Sequence, residues 1–157
     1  MTTKASGAAS GELQLIAAYR TALRCFLRRT ETAAVAAGLT PERYDLLLMI
    51  KAAGDDGRAS TVNDLRERLQ LRQQAVTELV KRTEEAGLLE RERSASDGRV
   101  FHLRLTAEGE ARVARVFRAL SSDRAAMFAA FHDLDAHFHA SMTDADPPRR
   151  KRPRTNR

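Results

Sequence analysis

At 157 residues, with 43% hydrophobic and 31% charged side chains, the chain has the length of one domain and enough apolar material for a core, so one compact unit is expected. Abundant alanine, leucine, arginine and glutamate, with no tryptophan and only 5% aromatics, point to a mainly α protein with little sheet. The single Cys25 excludes an internal disulfide and leaves no cysteine pair for zinc, and no run reaches the roughly 18 apolar residues of a membrane span. Without a signal-peptide pattern at the N-terminus, a cytoplasmic protein with no membrane partner is expected.

The formal charge of +6 does not by itself argue for nucleic acid. Arg149, Arg150, Lys151, Arg152, Arg154 and Arg157 in the tail account for all of it, and residues 1–146 are formally neutral. The functional argument must come from the order of elements.

Residues 1–10, rich in Ser, Ala, Thr and Gly, read as a flexible arm. From Gly11, Leu13, Ile16, Tyr19, Leu23, Phe26, Leu27 and Thr30 recur at spacings of three and four, which predicts an amphipathic helix over 12–37 ended by Gly38. Thr40-Pro41-Glu42 opens a second helix, with threonine as cap and proline at the first helical position; its core is Tyr44, Leu47, Leu48 and Ile50. Ala52-Ala53-Gly54-Asp55-Asp56-Gly57 reads as a loop.

A short helix follows from Ser60 or Thr61 to Leu69, and only Gln70, Leu71 and Arg72 separate it from a run over Gln73–Ala86 ended by Gly87. Two helices joined so tightly cross steeply. The second buries Val76, Leu79, Val80 and Thr83 and leaves Gln73, Gln74, Thr77, Glu78, Lys81 and Arg82 outward. The period then switches to two, Ser96-Asp97-Gly98 turns the chain with Asp-Gly as a hairpin signal, and Val100 to Leu105 forms the return strand.

Thr106 caps a further helix with Val113, Val116, Phe117 and Leu120 on its apolar side. Ser121-Ser122-Asp123 either restarts a helix or lies within one long helix, and Met127, Phe128, Phe131, Leu134 and Phe138 form a last stripe. Residues 144–157 read as a disordered basic tail, either an arm that clamps DNA or a solubilising end.

Helix, tight turn, polar-faced helix and basic-tipped hairpin make a winged helix-turn-helix over 58–106. The major groove of B-DNA, about 12 Å wide, admits one helix, so Gln73, Gln74 and Thr77 are candidates for base edges, glutamine suiting the adjacent acceptor and donor of adenine. Arg72, Lys81, Arg82 and the hydroxyls of Ser60 and Thr61 are candidates for phosphates, and Arg99 at the wing tip for the minor groove. Double-stranded DNA is thus the expected partner. A winged helix that binds only another protein is the alternative.

The run Leu71-Arg-Gln-Gln-Ala-Val76-Thr-Glu-Leu79-Val80-Lys-Arg82-Thr-Glu-Glu-Ala-Gly87-Leu88-Leu89, then Asp97-Gly-Arg99 and Leu103-Arg-Leu105-Thr106-Ala-Glu-Gly109, resembles the MarR family of winged-helix regulators. Gly38-Leu39-Thr40-Pro41 is similar too, so the resemblance covers roughly residues 12–120 within a MarR-like domain at 11–143. It implies a homodimer interleaved through N- and C-terminal dimerisation helices, 12–37 and 107–142, and a repressor acting on a pseudo-palindromic operator. It also implies that Asp97 steadies the wing arginine Arg99, and that a small-molecule effector of unknown identity binds between the dimerisation and DNA-binding parts. Tyr19, Arg20 and Tyr44 are the candidates to line that pocket, the two tyrosines being equally ordinary as core residues.

Other groups read as structural. Cys25 sits among packing residues and is expected to be an inert buried thiol rather than a redox sensor. His132, Asp135 and His139 share a helical face but span about 10 Å, too far for one metal ion. With no Ser/His/Asp set, glycine-rich phosphate loop or carboxylate pair, neither an enzyme nor a cofactor is expected.

Overall fold

The computed structural model describes residues 3–95 and 97–144, so the basic tail from residue 145 lies outside the described residues. Six helices and one hairpin follow in the order α1 (Thr3–Ala36), α2 (Pro41–Asp55), α3 (Val62–Leu69), α4 (Gln73–Glu85), β1 (Leu89–Arg93), β2 (Phe101–Leu105), α5 (Ala107–Ala119) and α6 (Ser121–Asp144). The mainly α class with a hairpin wing is as expected. The chain divides into two compact units rather than one: residues 1–26 with 122–157, and residues 27–121.

Local chemistry explains most boundaries within residues 27–121. Thr40, Thr61 and Thr106 sit in extended backbone, and each hydroxyl accepts a hydrogen bond from a backbone N–H three residues on, at Arg43, Asp64 and Gly109. At Thr61 the cap is reciprocal, because the Asp64 carboxylate also accepts from the Thr61 backbone N–H at 2.9 Å and from its hydroxyl at 2.8 Å. Those two bonds hold the Asp64 carboxyl below the usual carboxylate range.

The helix ends share one device. Past α4, the Leu88 N–H reaches back to the Thr83 carbonyl and the Gly87 N–H to Glu84, with Gly87 at φ 70°. The same pair of bonds closes α2, where Arg58 donates to Ala53 at 2.8 Å and Gly57 to Gly54 at 3.0 Å. The helix therefore runs through Gly54 and Asp55, where a loop was expected: buried Ala53 holds this turn down, and Lys51 pairs with Asp55 at 2.9 Å. Between α3 and α4 a glutamine does this work, Gln70 at φ 55°, with its side-chain amide donating to Glu67 O at 2.7 Å.

The hairpin pairs Leu89 with Leu105 through Arg93 with Phe101, antiparallel. At its far end the Ser94 N–H donates to Val100 O, and the Val100 N–H closes back on Asp97 O, both at 2.9 Å. On the other edge of β2, the Leu103 N–H donates to Ser60 O at 2.8 Å, which fastens the start of α3 to the wing.

The core of this unit comprises Leu46, Leu47, Ile50, Leu65, Val76, Val80, Leu88, Leu89, Leu103 and Val116, all at most 3% exposed. Leu46, absent from the expected core, is fully buried, whereas Leu48 is half-buried. Glycine opens the way for one close approach. Gly109, in the first turn of α5, packs against the Leu88 carbonyl, leaving no room for a Cβ.

In the unit of residues 1–26 and 122–157, helix α1 already begins at Thr3, where an arm was expected. Alanines 5, 8 and 9 and the absence of proline let a helix nucleated by its apolar stripe extend backwards. The chain breaks at Leu120 and restarts as α6 at Ser121, which decides between the two readings of the Ser-Ser-Asp segment. Here Tyr19 meets Phe131 with ring centroids 5.8 Å apart, while Leu13, Phe128, Phe131 and Phe138 are 40–67% exposed. Cys25 is exposed, contrary to expectation. It lies two residues from Leu23, close to half a helical turn away from it.

Candidate nucleic-acid interface

Helix α4 buries Val76, Val80 and Thr83 and exposes Gln73, Gln74, Thr77, Lys81 and Arg82, as a period of about 3.6 residues requires. The Thr83 hydroxyl is buried but satisfied, donating to Leu79 O at 2.6 Å. Arg72 occupies the N-cap position with no side-chain cap, so the first N–H groups of α4 end at the surface beside Gln73 and Gln74. The Thr77 hydroxyl donates to Gln73 O at 2.8 Å, which leaves its oxygen lone pairs and its methyl group to face outward.

Several contacts fix the orientation of α4. The Arg43 guanidinium, from α2, donates to Arg82 O at 3.2 Å near the negative end of the helix. Glu84 pairs with Arg91 of β1 at 2.9 Å, tying the helix to the base of the wing. Neither contact was foreseen from the sequence, because each joins residues whose proximity only the fold creates.

Asp97 Oδ1 accepts the backbone N–H of Arg99 at 2.9 Å, and the Asp97 N–H donates to Ser94 Oγ at 3.4 Å. Asp97 thus acts on Arg99 through its main chain. The Arg99 guanidinium has no hydrogen bond or ion pair among the described residues and is exposed. Strands of this length carry the tip about 16 Å from the base of the hairpin.

The phosphate candidates fare unevenly. Ser60 is 3% exposed, its carbonyl bound to β2, and is withdrawn from the surface where a phosphate would lie. The Thr61 hydroxyl is engaged in the α3 cap. Arg82 is drawn along its own helix to Glu78 at 2.8 Å, and Lys81 lies 3.9 Å from Glu85. Arg72 and the two glutamines remain open.

The pocket candidates fall in different units: Tyr44 is 4% exposed in the core of residues 27–121, whereas Tyr19 packs on Phe131 and Arg20 is exposed in the other unit. A cavity of about 380 Å³ lies elsewhere, between the end of α2, β2 and the start of α5, lined by Lys51, Arg58, His102 and Glu110 among others. Lys51 bridges Asp55 and Glu110 across it, and those hydrogen bonds raise its pKa. Among the described residues no cluster could hold a metal ion and no helix is long and apolar enough to cross a membrane; His139 lies 3.4 Å from Asp135.

Residues 37–100, the segment that contains α2, α3, α4 and the first strand of the wing, match the model of the MarR family. This winged helix is similar to that of the MarR family. Solved structures share the fold: a MarR family transcription regulator matches at 22% identity and TM-score 0.66, covering 90% of this chain and 98% of its own. A mutant of E. coli MarR complexed with operator DNA matches at 18% identity and TM-score 0.59, over 82% of this chain and 90% of that one. A mutant of S. aureus MepR bound to an oligodeoxyribonucleotide matches at 18% identity and TM-score 0.59, over 82% of this chain and 95% of that one. No curated protein matches the sequence.

Proposed function

We propose that this MarR-type protein is a sequence-specific, double-stranded DNA-binding transcription regulator that represses as a homodimer on a pseudo-palindromic operator. The observation that carries the reading is the pairing of an uncapped, polar-faced α4 with a wing tip built to present one unpartnered arginine. In this reading Gln73, Gln74 and Thr77 meet base edges, Arg72, Lys81 and Arg82 meet phosphates, and Arg99 enters the minor groove. The DNA-bound state of similarly folded proteins supports it. The exposed phenylalanines of α6 and Leu13 of α1 support the dimer, because a lone subunit would leave them in water.

The test is a duplex titration at several salt concentrations with wild type and Arg99→Ala. Wild-type affinity is expected to fall steeply with salt, and the variant to bind more weakly with a log–log slope smaller by about one. Its melting temperature should be nearly unchanged, since alanine keeps the backbone N–H that Asp97 holds. Absence of wild-type binding at low salt would favour a protein-interaction module instead.

A further inference from the structure

The exposed face of α4 is not simply basic. The helix carries three carboxylates, Glu78, Glu84 and Glu85, against Lys81 and Arg82. Two of the acids are turned to other tasks, Glu84 to Arg91 in β1 and Glu85 toward Lys81. Glu78 differs. It stands one turn beyond Gln74, about 6 Å further along the axis, on the surface that the DNA-binding reading points at the bases.

Glu78 is 51% exposed, and its Oε1 accepts from Arg82 Nε at 2.8 Å. An exposed i,i+4 pair of this kind contributes little stability, and a bare carboxylate beside a phosphate backbone opposes binding. The bond does orient the carboxylate, however, because Arg82 lies one turn towards the C-terminus and fixes one oxygen while Oε2 stays open. A carboxylate can only accept hydrogen bonds. In the major groove, guanine presents the acceptors O6 and N7, thymine the acceptor O4, and adenine the acceptor N7 beside its amine, whereas cytosine presents the N4 amine as a donor.

We infer that Glu78 is a specificity-determining residue that selects cytosine in each half-site by accepting from its N4 amine through Oε2, and that Arg82 is the positioning residue that aims it. The inference rests on the DNA-binding reading of α4. It also changes the role of Arg82, whose guanidinium serves the carboxylate before any phosphate.

The experiment selects bound sequences from a randomised duplex library with wild type, Glu78→Gln and Arg82→Met, each first confirmed by melting to be folded. Wild type is expected to enrich cytosine at one fixed position per half-site, with other bases there binding roughly tenfold more weakly. Glu78→Gln should lose that preference and turn towards adenine, because an amide both donates and accepts. Arg82→Met should keep cytosine with reduced discrimination. Identical selected sequences for wild type and Glu78→Gln, with the variant binding every duplex more tightly, would overturn the assignment and leave Glu78 as a source of repulsion only. A wild type that selects no sequence would overturn the DNA reading itself, and the Glu78 assignment with it.

Discussion

Replacing Gly109 by alanine sets two effects of known size against each other. Alanine in a helix is favoured over glycine by about 1 kcal/mol, and on propensity alone the variant would be more stable. A Cβ at this position, however, would lie well inside the 3.0 Å below which real Cβ atoms do not approach, its neighbour being the Leu88 backbone carbonyl rather than a flexible side chain. The Leu88 carbonyl carbon would be at 3.1 Å and Leu105 Cγ at 3.5 Å, which closes the sideways exits. Helix α5 must then retreat from the Gly87–Leu89 segment by on the order of 1 Å in a close-packed region. That retreat stretches the Thr106 N–H bond to Leu88 O, now 3.2 Å, and the Thr106 hydroxyl bond to Gly87 O, now 2.7 Å. Overpacking costs about 1–3 kcal/mol and a weakened hydrogen bond about 1 kcal/mol, so the clash wins by about 1–3 kcal/mol. Calorimetry should show Gly109→Ala melting about 5–10 °C below wild type. Gly54→Ala is the control: nothing lies within 4 Å of its added Cβ, and it should be neutral or slightly stabilising. A Gly109→Ala protein as stable as wild type would refute the argument that this glycine exists to let α5 touch the wing base.

Asp64→Ala should lower stability by about 1 kcal/mol at neutral pH by removing the reciprocal cap with Thr61. Because the folded state holds the Asp64 carboxyl below its unfolded value, this stabilisation is complete above the ordinary carboxylate range and is lost as pH falls through the depressed value. The difference in melting temperature between wild type and variant should therefore shrink on acidification; a gap constant down to the most acid pH would contradict it. Arg43→Met keeps the aliphatic stem but deletes the donor to Arg82 O, and should lower the unfolding free energy by about 0.5–1 kcal/mol, moving the urea midpoint down without changing the slope. An unchanged midpoint would mean that this contact does not hold α4.

Features governed by neighbours in sequence were legible before any coordinates. The caps Thr40, Thr61 and Thr106, the stops at Gly38 and Gly87, the short link from Leu69 to Gln73 and the outward face of α4 all depend on interactions within about one helical turn, and residue type alone signals them. Where a local rule has several solutions, sequence reading failed. Gly54 and Asp55 read as breakers, yet a helix end fastened by buried Ala53 carries through them, and Gln70 adopts the left-handed conformation that glycine usually signals.

The amino-acid order by itself determined the succession of helix, turn, helix and wing, because periodicity and capping are short-range and each element declares its own apolar side. Tertiary packing alone decided which polar groups remain available. Ser60 lost its surface to β2, Cys25 kept its own, and Arg43 was sent to the end of α4. The physical reason is that a hydroxyl or guanidinium bonds whichever partner the fold brings within about 3 Å, and most of those partners are far away along the chain.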